Sequence, residues 1–511
     1  MREKQEATII LTHKKHNPVL RSKGEGYMTY SLTVKNKDAA VVCRAEAGAL
    51  LSAVLSENGF AVPAACAGRG VCNKCAVKVL SGVFDNVTPD ENGKIKSCRA
   101  RVASDAVIEA DFSEKSEGSD FTGEGEAPKN VCGIAVDIGT TTVAAAFVNK
   151  KGELRYASCI NPQSAYGADV ISRISACAEG KLAPQTERIR RSIAALMREL
   201  DPAGEAEELT VAGNTTMLHI FCGVSPESMG VYPFTPAFTD AVHLTGAELG
   251  LSVKKVTVLP CVSAFIGADI TAGMYVLGLH KTEKRVLLAD LGTNGEIVFS
   301  DAGKLLCTSA AAGPALEGAC IECGTGGVPG AINRVYKKNG VRGFTVIGST
   351  LPTGICGAGL ADAVALMLSE GVLDETGYLE EEYYLADNVY ISPADIRQLQ
   401  LAKSAVCSAV ERLLESANIL PDTVDELFIA GGLGYYMSPE SAFACGILPR
   451  FPKAAVTAAG NTSLRGALRC IGNASAVEEM RSIAKNCSVA ELGGDPRFNE
   501  LFAENMFFAT E

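Results

Sequence analysis

The chain has 511 residues, enough for roughly two to four domains with sizeable cores. It carries 59 Asp and Glu against 47 Lys and Arg, a net charge of −12. That balance excludes general nucleic-acid binding, which needs a basic face to displace counterions. With 47% hydrophobic and 21% charged residues, and no apolar run of about eighteen, it reads as a folded chain without a membrane span.

Residues 1–27 are basic and polar and read as an N-terminal extension; Met28, directly before the first strand pattern, can serve as an alternative start. The stretch TIIL near the N-terminus is too short for a signal-peptide core, which predicts a cytoplasmic location. The first domain is predicted over 28–112. MTYSLTV and AAVVCRA are rich in β-formers and flank the turn-like KNKD, so they read as paired strands. AGALLSAVLSENG places leucines at helical spacing before a glycine stop, and CAVKVLSG and AVIEADF read as further strands. This is the order of a β-grasp ferredoxin.

Between that helix and the third strand pattern lies VPAACAGRGVCNKC, followed later by SCRA. Cys66, Cys72, Cys75 and Cys98 have the spacing C-x5-C-x2-C-x22-C. Three thiolates on one short glycine-containing loop, with a fourth returning from a later segment, is how a ferredoxin holds a [2Fe–2S] cluster. Cys43 lies outside this pattern and reads as core. Most of the 18 cysteines, among them Cys132, Cys159, Cys177, Cys222, Cys407 and Cys470, sit in apolar segments. They read as reduced, buried thiols in a reducing cytosol.

Residues 113–130, SEKSEGSDFTGEGEAPKN, are almost free of apolar side chains and form a flexible acidic linker. As a random coil it would span roughly 20–25 Å, serving either as a passive tether or as a swing arm.

From 131 onward the chain repeats a pattern. VCGIAVDIGTTTVAAAFVNKKGEL (131–154) and RVLLADLGTNGEIVFSDAGKLL (285–306) each show an apolar strand ending in Asp, a Gly-Thr turn, a second strand and a polar glycine turn. Two such hairpins predict two homologous α/β halves, 131–284 and 285–511, facing one another. Tight turns after buried strands aim backbone N–H groups into a small volume suited to phosphate oxygens. Gly139 and Gly292 allow close approach, while Thr140, Thr141, Thr293 and Asn294 add donors. Asp137 and Asp290 make sense beside a Mg²⁺ ion held through water, and are the candidate catalytic carboxylates. In DELFIAGGLGYYM, Gly431, Gly432 and Gly434 follow an apolar strand and let a purine and ribose lie against bare backbone. PTGICGAGL (352–360) offers another glycine turn. Together these compose an ATP site of the actin, Hsp70, sugar kinase and acetate kinase type, on a duplicated ribonuclease-H-like fold. No G-x-x-x-x-G-K-[ST] is present, which excludes Walker-type NTPases.

The combination resembles the reductive activators of corrinoid proteins over 28–511. Beyond the cysteine quartet, the resemblance rests on AVDIGTTTV, NPQSAYGADVISRI (161–174), VAGNTTMLH (211–219), VYPFTP (231–236), LPCVSAFIGADITAG (259–273) and ADLGTNGEI (289–297). It continues through SAAAGPALEGACIECG (309–324), PTGICGAGL, FIAGGLG and GNTSLRGA (460–467). Members often carry a longer region between ferredoxin and ATPase, whereas here only 113–130 separates them. The resemblance implies an ATP-dependent activator that returns an electron to a Co(II) corrinoid protein, restoring Co(I). It also implies an upstream low-potential electron donor, no nucleic-acid or membrane partner, and a homodimer. Gly68 and Gly70 would let the cysteine loop fold round the cluster.

Rival readings are a small-molecule kinase of the same superfold, for which a ferredoxin domain has no use, and a redox-sensing ATPase switch. Cys320 and Cys323 form a C-x2-C that suits either buried thiols or a shared cluster. His219 reads as a satisfied interior histidine.

Overall fold

The computed structural model describes residues 29–36, 39–58, 60, 62, 75–110, 128–431 and 437–508. The chain divides into two compact units, one holding the N-terminal domain and the other nearly all residues from 115 to 511.

In the first unit the strands are β1 (Thr29–Asn36), β2 (Ala39–Glu46), β3 (Ala76–Ser81), β4 (Phe84–Asp85), β5 (Lys94–Lys96), β6 (Arg101–Val102) and β7 (Ala106–Glu109). Five of them form one sheet in the order β2-β1-β7-β3-β5, with β1 and β7 parallel and the other neighbours antiparallel. This is the β-grasp order expected from the sequence. Alternation dictates the burial: Leu32 and Val34 of β1, Val77 of β3 and Ile108 of β7 point to the core, where Leu51 and Leu55 of the helix Leu51–Glu57 meet them. That helix is shorter than the leucine spacing suggested, and the short strands β4, β5 and β6 carried no sequence signal that we read.

In the second unit two six-stranded sheets share the topology of five strands and differ in the edge to which the sixth is added. The first comprises β8 (Gly133–Ile138), β9 (Thr142–Val148), β10 (Leu154–Ile160), β11 (Glu208–Gly213), β12 (Val242–Thr245) and β13 (Lys255–Val258), ordered β10-β9-β8-β11-β13-β12. The second half opens with β14 (Arg285–Leu291), β15 (Gly295–Asp301) and β16 (Lys304–Ala310). It continues with β17 (Ala331–Lys338), β18 (Val341–Val346), β19 (Gly354–Ile355), β20 (Tyr383–Ala386) and β21 (Val389–Ile391), which form two small separate sheets. Finally β22 (Glu426–Ala430), β23 (Ala455–Gly460) and β24 (Ser488–Val489) complete the sheet β23-β22-β14-β15-β16-β24. In both halves an antiparallel three-stranded meander is extended by two parallel strands beside its first strand. The duplication is therefore real at the level of strand order, and it is the ribonuclease-H-like pattern. Each hairpin strand runs one residue past its Asp, to Ile138 and to Leu291, so both carboxylates sit inside the last ladder pairs.

Amphipathic helices cover the sheets. Leu182–Leu200 turns Ile189, Ile193, Leu196 and Leu200 toward the first sheet. Pro393–Ala417 starts with a Ser392/Asp395 capping box and ends at Asn418 in the left-handed region. The halves also exchange helices. Thr462–Arg469, late in the chain, puts Leu464, Ala467 and Leu468 into the core under the first sheet. Ala268–Val276, from the first half, sends Ile270 and Met274 into a cluster with Val286, Leu288 and Val298 of the second sheet. The two helices cross with their backbones close together: a Cβ on Gly466 would stand 2.5 Å from the Ala272 carbonyl oxygen.

Candidate functional site

The exchanged helices bring the two Asp-Gly-Thr turns to one place. In the first turn, Gly139 N–H donates to the Thr142 carbonyl at 3.0 Å, and a Cβ on Gly139 would lie 2.7 Å from that oxygen, so only glycine fits. All three turn carbonyls are occupied from behind. Asn161 Nδ2 donates to Gly139 O at 2.7 Å, Asn161 N to Thr141 O at 2.8 Å, and Arg173 Nη2 to Thr140 O at 2.5 Å. Oxygen lone pairs are thereby drawn away from any anion approaching the turn. Arg173 is fully buried, and burial lowers its guanidinium to about 10. Asn161 and Arg173 both belong to the segment NPQSAYGADVISRI, which sequence reading recognised without giving these residues a role.

The second turn is tighter by one residue, with Gly292 N–H donating to Asn294 O at 3.0 Å. Thr141 Oγ1 and Thr293 Oγ1, one from each turn, both donate to Glu317 Oε2. Asp137 accepts from Asn461 Nδ2 at 2.9 Å and Ser463 Oγ at 2.7 Å, both at the start of the exchanged helix Thr462–Arg469. Gly431, with φ of +86°, packs so tightly that a Cβ would stand 2.7 Å from Asp290 Oδ1. Gly432 and Gly434 lie outside the described residues.

The carboxylates here are more numerous than the sequence suggested. Asp269 and Glu296 join Asp137, Asp290 and Glu317 in one field of negative charge. Burial, then the neighbouring Asp137, pushes Asp269 up to about 7. Burial, then Asp269, Asp137 and Glu317, pushes Asp290 up to about 8. Burial, then Asp269 and Asp290, raises Glu296, and burial raises Asp137 against the pull of its two hydrogen bonds. Buried carboxyls at this density are costly to ionise without a compensating charge. Among the described residues no cluster of acidic, cysteine and histidine side chains is arranged to ligate a metal directly, so a cation held here would be bound through water.

This field makes stability depend on pH. A carboxyl whose folded pKa lies above its unfolded value contributes stability below the unfolded pKa and loses it as pH rises through the folded one. For Asp269 and Asp290 that loss falls across about pH 4 to 8. In EDTA, the melting temperature of the second unit is expected to fall between roughly pH 4 and pH 8. A flat or rising profile by calorimetry would contradict this charge arrangement.

In the first unit, Cys75 is 2% exposed at the start of β3, and Cys98 is half-buried in the turn after β5. Ser97 N–H donates to Cys75 O at 3.1 Å, which holds the two segments side by side. The Ser97 hydroxyl is buried without a partner, as suits a neighbour of sulfur acceptors. Cys66, Cys72, Gly68 and Gly70 lie outside the described residues. Among the described residues no cysteine forms a disulfide, and Cys43 is core. Cys320 and Cys323 are partly exposed rather than buried, and Cys323 Sγ faces Asn388 O at 3.6 Å. His219 is interior: Nδ1 meets Thr215 O at 2.8 Å, Nε2 accepts from Ala237 N at 3.1 Å, and the ring stacks on Phe238. The glycine turn at 352–360 serves packing, since a Cβ on Gly359 would stand 2.3 Å from Ile332 O. No helix among the described residues is long and apolar enough to cross a membrane.

A β-grasp ferredoxin fold joined to a duplicated ribonuclease-H-like unit with paired Asp-Gly-Thr turns defines an iron–sulfur protein coupled to an ASKHA-type nucleotide-binding domain. Family models agree along the chain: a 2Fe-2S iron-sulfur cluster binding domain over 32–119, the RACo middle region over 132–282, and the C-terminal ASKHA domain of RACo over 284–511. The chain is 32% identical over 430 residues to the corrinoid activation enzyme RamQ of Eubacterium limosum, covering 76% of this chain and 72% of that one. It therefore belongs to the family of reductive activators of corrinoid proteins. It is also 26% identical over 349 residues to the [Co(II) methylated amine-specific corrinoid protein] reductase of Methanosarcina barkeri, covering 60% and 62% of the two chains. A solved reductive activator for corrinoid, iron-sulfur protein shares the fold, with a TM-score of 0.69 and 24% identity over 94% of this chain and 98% of that one. The segment read as the first ATPase half, 131–284, is the one matched as the RACo middle region.

Proposed function

We propose that this chain is an ATP-dependent reductive activator that passes one electron to a Co(II) corrinoid protein, restoring Co(I) for methyl transfer. The observation that carries the reading is the union, in one chain, of a one-electron carrier domain with a nucleotide-binding domain, matched segment by segment to corrinoid activators. A small-molecule kinase would leave the ferredoxin domain without a purpose.

Cys66, Cys72, Cys75 and Cys98 would hold the cluster, which supplies one-electron chemistry. Asp137 and Asp290 would hold Mg²⁺ through water, and the ion would neutralise phosphate charge. Thr140, Thr141, Thr293 and Asn294, with the backbone of Gly139 and Gly292, would take the phosphates. Gly431, Gly432 and Gly434 would take the purine and ribose. Asn161 and Arg173 keep the first turn's carbonyls away from that anion, and Asn461 and Ser463 orient Asp137. Because Ser463 sits on a helix packed against both halves, engagement of Asp137 is felt across the whole unit. An electron moved uphill loses about tenfold in equilibrium for each 59 mV of mismatch, so nucleotide energy has a use here. An upstream low-potential donor, a homodimer and a cytoplasmic location complete the reading.

With Mg·ATP and a low-potential reductant, the purified protein is expected to convert the Co(II) absorption spectrum of a corrinoid protein encoded near its gene to that of Co(I). A conversion that proceeds equally well without ATP, or not at all, would overturn the reading.

A further inference from the structure

Thr141 and Thr293 come from different halves, yet both donate to the same oxygen. Glu317 closes the short 3-10 turn Pro314–Glu317, and its Oε2 accepts from Thr141 Oγ1 at 2.5 Å and from Thr293 Oγ1 at 2.9 Å. Oε1 lies over the bare face of Gly292, where a Cβ would stand 3.2 Å away. The charge of this carboxylate reaches Asp290, which it helps push up, and Arg173, which it helps keep protonated. A threonine hydroxyl has a single hydrogen to donate. It cannot serve Glu317 and a phosphate oxygen together, and two anions on the same hydroxyls repel each other. Gly313, just before the turn, has φ of +76° and open space where a Cβ would be, which gives the segment a pivot.

We propose that Glu317 is a positioning residue that staples the two Asp-Gly-Thr turns together and competes with the nucleotide's phosphates, which must displace it to bind. This rests on the nucleotide reading given above. Displacement exchanges one anion for another on the same two hydroxyls, so it changes what links the halves without changing which residues link them. It also moves the segment that leads from Gly313 to Cys323.

The test is calorimetric binding of Mg·ADP, the Mg complex of β,γ-imido-ATP, and adenosine to the full chain and to Glu317→Gln. Removing the charge while keeping the shape is expected to tighten both phosphate-bearing ligands about tenfold and leave adenosine unchanged. A merely structural role would weaken all three, which would overturn the proposal. So would unchanged affinity with lost hydrolysis, which would make Glu317 a reacting group. Wild-type protein that binds none of the three would instead overturn the nucleotide reading itself. Should Glu317→Gln fail to fold, hydrogen exchange on the wild type decides. Residues 314–323 are expected to exchange faster with the imido nucleotide bound, and unchanged or slower exchange would overturn the proposal.

Discussion

Replacing Cys98 by alanine is expected to abolish reductive activation while sparing nucleotide turnover. The Ser97 N–H bond to Cys75 O sets the segment of Cys98 beside Cys75, the partner thiol that lies among the described residues. A [2Fe–2S] cluster needs four ligands, and losing one removes or destabilises it. The brown colour and the cluster's absorption should disappear, and Co(II)-to-Co(I) conversion should fall at least about a hundredfold. ATP hydrolysis should stay within about twofold, because Cys98 belongs to a separate compact unit. Undiminished activation by a cluster-free variant would end the electron-relay reading.

Asp290→Asn is expected to do the reverse. Its carboxyl is crowded by burial, Asp269, Asp137 and Glu317, and held close by Gly431. The amide keeps the shape but gives up the charge that would hold a hydrated cation. Turnover of Mg·ATP should fall by about a hundred- to a thousandfold, with the cluster spectrum intact and ATP-dependent activation lost. The same substitution relieves repulsion, so at pH 8 the second unit should melt higher, by about 2–4 °C. Activity loss with a stability gain marks a group kept for function at a cost in folding. A variant that is inactive and also melts lower would show that Asp290 acts mainly as a packing residue.

Much of this was legible in the sequence because local rules and tertiary context agree. The alternation in β1 and β2, the Asp-Gly-Thr turns and the cysteine spacing each demand one conformation, and their repetition removes accidental matches. What escaped was set by contacts between distant segments. Glu317 lies in a run of small residues with no periodicity, and only the fold places it between Thr141 and Thr293. Asn461 and Ser463 sit in a segment quoted only for its resemblance, and the fold shows Asn461 capping Thr462–Arg469 as well as holding Asp137. Arg173 carries no local signal of its role, and only the fold buries it against the first turn. Short strands such as β4 and β6, two residues each, are too brief for any period to show.

The exchange of helices between the halves also bears on how the chain is made. Leu464, Ala467 and Leu468, followed by Ala476, Val477 and Met480, complete the core beneath a sheet whose first strand begins at Gly133. During synthesis that sheet must wait for more than half of the chain to emerge before its apolar face is covered. Pairings so far apart in sequence are slow to form and leave sticky surface exposed meanwhile. The arrangement that lets one helix report to both halves thus leaves apolar surface of the early portion uncovered until residues 464–480 have been made.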